Sequence, residues 1–320
     1  MTAVAHHIPP IPVLGTAMWG WTVPRAVAFR QLDTWYGAGF RSVDTATNYP
    51  IDKEPAHFKA AEGILVDWIR ENGVQDLDVT VKVGSVNNLR TPECNLTPAF
   101  LRIMSLHYRR LLGGNLRCLM IHWDNRGEAD AVRETVETLA ALQTEGLRTG
   151  LSGIRYPAAY AAWQPSLEPD IQVKHNVLQS DIERYRIHFP GRRYFAYGIN
   201  GGGLKLSPAA YRPEGTWVAR GLRPAAVSPV LEQLDRLVSR WRHIPPAGGT
   251  DRRPVLEQLA EIGMAYAWYH PLVKGILLGA SGVEQLEQNI ATYRLLEAWD
   301  YRDVFDELSV ALASAKEQNG

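Results

Sequence analysis

The segment Phe40-Arg41-Ser42-Val43-Asp44-Thr45-Ala46-Thr47-Asn48-Tyr49 reads as a short buried strand that runs directly into a polar loop. Alternation along the strand sends Val43 to one face and Ser42 with Asp44 to the other. A carboxylate at the end of a buried strand is costly unless a cation or several hydrogen bonds meet it. Tyr49 follows five positions later, close enough for the same cation to act on its phenol. The segment therefore asks for a lysine that reaches Asp44 and for a group that holds the oxygen of a small molecule.

Outward from this segment the chain alternates strands and helices. A strand at 13–18 precedes a helix that begins near Pro24 and carries Phe29, Leu32 and Tyr36 at helical spacing before Gly37 to Gly39 end it. Downstream, the pattern predicts helices at 60–72, 98–112 and 132–144, with strands at 77–83, 116–121 and 147–152. Further strands are expected at 171–173, 194–197 and 275–278, a short helix at 157–163, and helices at 255–269 and 283–299. Eight strands in strict alternation with helices imply parallel pairing through helical crossovers, and the count fits an α/β (β/α)8 TIM barrel in a single domain. A doubly wound sheet is the runner-up, but Gly15 and Gly20 do not make the glycine-rich phosphate turn expected after its first strand. Residues 206–254, with Pro-Pro and Gly-Gly at 245–249, are expected to form an extended loop or lid after strand 7, and 300–320 a C-terminal helical tail.

Composition narrows the class. The chain has 320 residues, 46% hydrophobic and 21% charged, so it can bury a large core and is not a disordered sequence. A formal net charge of +0 gives no field for nucleic acid or anionic lipid, and neither partner is expected. No stretch of about 18 apolar residues predicts a membrane span, and no basic and apolar leader is read at the N-terminus. Two cysteines, Cys94 and Cys118, make no disulfide framework. The expectation is a soluble cytoplasmic protein, with oligomeric state left open.

Strand parity then sorts the ionisable residues. Val79, Val81 and Val83 share the face that packs on helices, which leaves Thr80 and Lys82 pointing into the barrel; Leu119 and Ile121 pack outward and Met120 and His122 inward. Asp44, Lys82 and His122 thus end three neighbouring strands on the inward face, with Tyr49 on the loop above. Paired with Asp44, Lys82 would stabilise a Tyr49 phenolate, so that the phenol could serve as a general acid, and His122 could orient and polarise a carbonyl oxygen. Any one of these residues alone is better explained as a structural ion pair or a core histidine; four at the tops of adjacent strands are not.

This set resembles the catalytic tetrad of the aldo-keto reductases. The resemblance is carried by Asp44-Thr45-Ala46 with Tyr49, by Val81-Lys82-Val83 and by Ile121-His122-Trp123. Further motifs in the family's order are Gly150-Leu151-Ser152, Gln172 with Asn176, Ala196-Tyr197 followed by Gly201 to Lys205, and Gly279-Ala280-Ser281 with Glu284-Gln285-Leu286 and Asn289. The resemblance implies hydride transfer between NADPH, with NADH possible, and a carbonyl or alcohol substrate. It makes Tyr49 the proton donor, Asp44 and Lys82 its relay and His122 the orienting group. By the same resemblance Ser152 and Gln172 hold the carboxamide, Tyr197 stacks on the nicotinamide, and Lys205, Ser281, Gln285 and Asn289 meet the adenosine end, Lys205 and Ser281 nearest any 2′-phosphate.

Trp19, Trp21, Asn48 and Trp123 are the candidates for the substrate pocket, and aromatic walls of this kind suit sugars, aromatic aldehydes and fused rings equally. The chain departs from the family pattern at Gly153, where an asparagine is usual, at Gly198, and at Gln285, where many relatives carry arginine. Lys174, inward by parity, has no counterpart in the pattern, and the N-terminal hairpin that plugs the barrel floor in relatives looks short or absent. A cofactor-binding regulatory protein with little turnover is the alternative that Gly153 supports. A metal enzyme using Asp44 and His122 is the third reading, and Lys82 beside them argues against a cation; no metal is expected.

Overall fold

A computed structural model describes residues 7–163, 167–206, 229–243 and 253–317. Eight strands close into a barrel in chain order: β1 (Ile11–Gly15), β2 (Ser42–Ala46), β3 (Asp78–Val83), β4 (Leu116–Asp124), β5 (Arg148–Ile154), β6 (Asp170–Lys174), β7 (Tyr194–Tyr197) and β8 (Val273–Leu278). Each pairs in parallel with its neighbours, and β1 meets β8 to complete the ring. The (β/α)8 barrel expected from the alternation is therefore the observed fold.

The helices α1 (Arg25–Gly37), α2 (Ala60–Asn72), α3 (Pro98–Leu112), α4 (Ala129–Thr144), α5 (Pro157–Ala161) and α6 (Ile182–Arg186) follow β1 to β6 in turn. Their ends are set by local chemistry. Thr97 accepts a hydrogen bond from the Phe100 N–H at the start of α3, with Pro98 in its first turn, and Gly73 closes α2 with φ +64°. Val43, Val79, Val81, Leu119 and Ile121 are buried together with side chains of this helical layer, as parity required.

The stretch between β7 and β8 corrects one expectation. Within 206–254, residues Pro229–His243 form an amphipathic helix, α7, rather than an extended loop; 207–228 and 244–252 lie outside the described residues. Leu231, Leu234, Leu237 and Val238 form its buried stripe, at the 3–4-residue spacing of one helical face. Helix α8 (Leu259–Trp268) begins four residues later than expected, where the Glu261 carboxylate accepts from the backbone N–H groups of Glu257 and Gln258. After β8 come α9 (Val283–Ala298) and α10 (Arg302–Glu317). The latter packs on α7 and α8 through Val304, Leu308 and Leu312 and is part of the shell. Among the described residues no helix is long and apolar enough to cross a membrane.

The two ends of the barrel differ in chemistry. Around the N-terminal ends of the strands lies a depression lined by Ser42, Asp78, Arg117, Arg148, Asp170 and Arg193 among others. Its Asp170 carboxylate pairs with both Arg148 and Arg193. The residues singled out by the sequence gather at the opposite, C-terminal end, where enzymes of this fold carry their chemistry.

Candidate active site

Lys82 and Asp44 face each other inside the barrel, each about 1% exposed, with the ammonium bonded to Asp44 Oδ1. Register explains the contact: Asp44 lies beside Thr80, two residues before Lys82 on the same face of β3. The second carboxylate oxygen, Oδ2, accepts from Gln172 Nε2 at 2.6 Å, a bond that reaches from β2 to β6 across the barrel. Gln172 Oε1 in turn accepts from Ser152 Oγ at 3.4 Å on the neighbouring strand. Burial alone would lower the Lys82 pKa, but the Asp44 carboxylate and the Tyr49 phenol outweigh it and hold the ammonium above its ordinary value. Lys82 is a fixed buried cation at neutral pH.

Tyr49 stands half-buried over that cation, its ring centroid 4.9 Å from Lys82 Nζ. Its ring meets His122 edge to face, with centroids 5.7 Å apart and planes at 88°. His122 ends the inward row of β4 and is 3% exposed. Desolvation, and then the nearby Lys82 cation, push its pKa well below the usual histidine value, so the imidazole is neutral at pH 7. His122 Nδ1 lies 3.0 Å from the side-chain oxygen of Asn48, which is itself fully buried.

Trp123 and Gly153 interlock beside this group. Trp123 adopts a left-handed backbone, φ +61°, which is uncommon for an aromatic residue. Its indole lies against His122 with ring centroids 4.5 Å apart. A Cβ added to Gly153, itself at φ +67°, would lie 2.4 Å from Trp123 Cδ1. The departure from asparagine at this position thus has a physical cause: the indole occupies the space that any side chain would need.

The remaining candidates divide between core and rim. Trp19 belongs to the core, its indole N–H donating to Gln31 Oε1 at 2.8 Å on α1. Trp21 is half-buried on the loop after β1; Arg90 lies 5.9 Å from its ring and also donates to the Ile51 carbonyl, two residues beyond Tyr49. Asn48 is sealed against His122 rather than lining a wall. Tyr197 ends β7 beside Lys174, and burial pushes its phenol pKa up.

Lys205 is exposed just past the Gly201 to Gly203 turn. Ser281 is exposed ahead of α9, and its N–H and Oγ both donate to Gln285 Oε1, at 2.8 and 2.9 Å. Asn289 is buried and donates to the Gly279 carbonyl at 3.3 Å, bracing the loop between β8 and α9. A dinucleotide fits these residues: exposed hydroxyl, amide and ammonium groups stand at the rim, and α9 presents its N-terminus there without a side-chain cap. Among the described residues no three His, Cys, Asp or Glu side chains converge as metal ligands would.

Two contacts of this site were not foreseen from sequence. Parity identifies inward residues but not which of them meet across the barrel, so the bond from Gln172 to Asp44 left no signal. Likewise nothing in the order of residues ties Asn48 to His122.

No protein-family model matches the sequence, and neither does any curated protein. Among solved structures the chain is similar to the holo form of an aldo-keto reductase from Bacillus halodurans. The TM-score is 0.65 and the identity 19%, over 94% of this chain and 91% of that one. The likeness is one of fold, and it extends over nearly the whole barrel.

Proposed function

We propose that this protein is an NAD(P)H-dependent oxidoreductase of the aldo-keto reductase type, acting between a carbonyl compound (an aldehyde, ketone or sugar) and its alcohol. The observation that carries the reading is the buried Lys82–Asp44 pair beneath Tyr49, with neutral His122 edge-on to the same phenol. The cofactor, when bound, supplies or accepts the hydride. Tyr49 gives its proton to the substrate oxygen, and the Lys82 cation stabilises the phenolate left behind. Asp44 holds Lys82 in place, braced by Gln172. His122, kept uncharged by burial, orients the oxygen without adding a second positive charge beside Lys82.

Ser152, Gln172 and Tyr197 are assigned to the nicotinamide end. Lys205, Ser281, Gln285 and Asn289 are assigned to the adenosine end, where the Lys205 ammonium favours NADPH over NADH on Coulomb grounds. Trp21 and Trp123 are assigned to the walls around a small-molecule substrate, in a protein of the reducing cytoplasm. The second reading, a cofactor-binding regulatory protein with little turnover, draws on Trp123 filling the space beside Gly153.

Titration of the purified protein with NADPH and with NADH, followed by quenching of tryptophan fluorescence, tests the cofactor. Saturable binding with preference for NADPH is expected; binding of neither would remove the reading. Tyr49→Phe then separates enzyme from regulator. It should bind cofactor as the wild type does and lose about 10²–10⁴-fold in carbonyl reduction, the range for a general acid. Equal turnover in the variant would end the role given to Tyr49.

A further inference from the structure

We infer that Asn48 sets the tautomer of His122, donating its side-chain N–H to Nδ1 and so keeping the imidazole proton on Nε2. The inference rests on the oxidoreductase reading and names a positioning residue within it.

A neutral imidazole carries one proton on two nitrogens, and a donor at one of them forces the proton to the other. His122 is neutral and nearly sealed from water, so solvent does little to choose. Among the described residues Asn48 supplies its hydrogen-bond partner, at Nδ1 and 3.0 Å. Nε2 is left for an incoming ligand. Asn48 Nδ2, meanwhile, is buried with no hydrogen-bond partner among the described residues.

The two ends of a carboxamide have nearly the same shape, and a half-turn about the last side-chain torsion exchanges them without disturbing the packing. With the oxygen at Nδ1, the ring proton sits on Nδ1 and two amide hydrogens are stranded in the interior. Nε2 then offers a lone pair that would repel a carbonyl oxygen. With Nδ2 at Nδ1, one stranded donor is satisfied and the group without a partner becomes an acceptor, the less costly of the two to leave unmade. Nε2 then bears the hydrogen that a carbonyl oxygen can accept. Energetics and chemistry favour the same orientation, and it places an N–H aimed at the substrate oxygen beside the Tyr49 phenol.

The test is a nitrogen-15 NMR spectrum of histidine-labelled full-length protein, in which protonated and bare ring nitrogens have well-separated shifts. The wild type is expected to show His122 protonated on Nε2 and bare at Nδ1, identified by its loss in His122→Gln. Asn48→Asp, which can only accept at Nδ1, should move the proton to Nδ1. It should lower kcat for carbonyl reduction about 10²-fold, the loss typical of one donor to a reacting oxygen, with the cofactor dissociation constant unchanged.

Asn48→Leu, of similar volume and without a donor, should give a mixed tautomer signal. A wild-type spectrum with the proton on Nδ1, or an Asn48→Asp protein that keeps it on Nε2, would overturn the inference. The wild-type spectrum decides even if a variant does not fold. It needs neither cofactor nor turnover, so a failure here is separable from a failure of the oxidoreductase reading, which the cofactor titration judges.

Discussion

Lys82 carries a full charge where almost no water reaches it, and Asp44 and Gln172 exist in their present geometry because of it. Two buried opposite charges can come close to break-even against apolar residues of the same size, whereas one left alone is strongly destabilising. Lys82→Met should therefore lower stability by about 3–5 kcal/mol, read as a shift of the denaturant midpoint. Adding Asp44→Asn to that variant should recover a large part of the loss, because the remaining amide can still accept from Gln172 with no charge left unpaired. A double variant no more stable than the single would mean that shape, and not charge, governs the site. Parity along β2 and β3 made the pairing legible in the sequence. The third member, Gln172, was not, because a bond across a barrel depends on strand tilt and closure, which no local pattern records.

At the scale of elements, Trp123 and Gly153 interlock at the ends of β4 and β5, both in a left-handed backbone. Gly153→Ala should cost about 1–3 kcal/mol, from a left-handed backbone and a Cβ set against the indole. If the indole is the obstacle, Trp123→Ala should make the same glycine substitution markedly cheaper. A double-mutant cycle on thermal unfolding measures the coupling, and strict additivity would show that backbone conformation alone requires the glycine. The strand–helix alternation itself could be read from the sequence because each element has its own period and its own stop residue.

Helix α7 was missed for a reason that is also physical. Its apolar residues Val230, Leu231, Leu234, Leu237, Val238 and Trp241 follow helical spacing, but Pro245, Pro246, Gly248 and Gly249 just beyond it weigh a long segment toward loop. Its stabilising partner is α10, far along the chain, where Glu307 accepts from the Trp241 indole at 2.6 Å. The burial of Trp19 was illegible for the same reason: its partner Gln31 lies on α1, and spacing alone cannot tell a wall from a core residue.

For the whole molecule, burying His122 as a neutral ring ties stability to pH. Its folded pKa lies well below the ordinary histidine value of about 6.5, so below that pH the unfolded chain binds a proton that the folded chain refuses. The stability it contributes is complete above about pH 6.5 and is lost as pH falls below it, by at most about 1.4 kcal/mol per pH unit for one group. Burial also lowers His7 and His270, which act in the same direction.

Asp170 acts the other way. Burial raises its carboxyl to about 6 despite Arg148, so between roughly pH 6 and 4 the folded chain binds the extra proton and gains stability on acidification. The two effects overlap: below about pH 6.5 the histidines lower stability as the pH falls, and below about pH 6 proton uptake by Asp170 offsets part of that decline. Melting temperatures across this range for the wild type and for His122→Gln check the assignment. The variant should lose part of the decline below about pH 6.5 and keep the offset from Asp170, because Asp170 lies at the other end of the barrel. An unchanged slope would move the source of the acid sensitivity away from His122, and with it the claim that the barrel holds this ring uncharged at neutral pH.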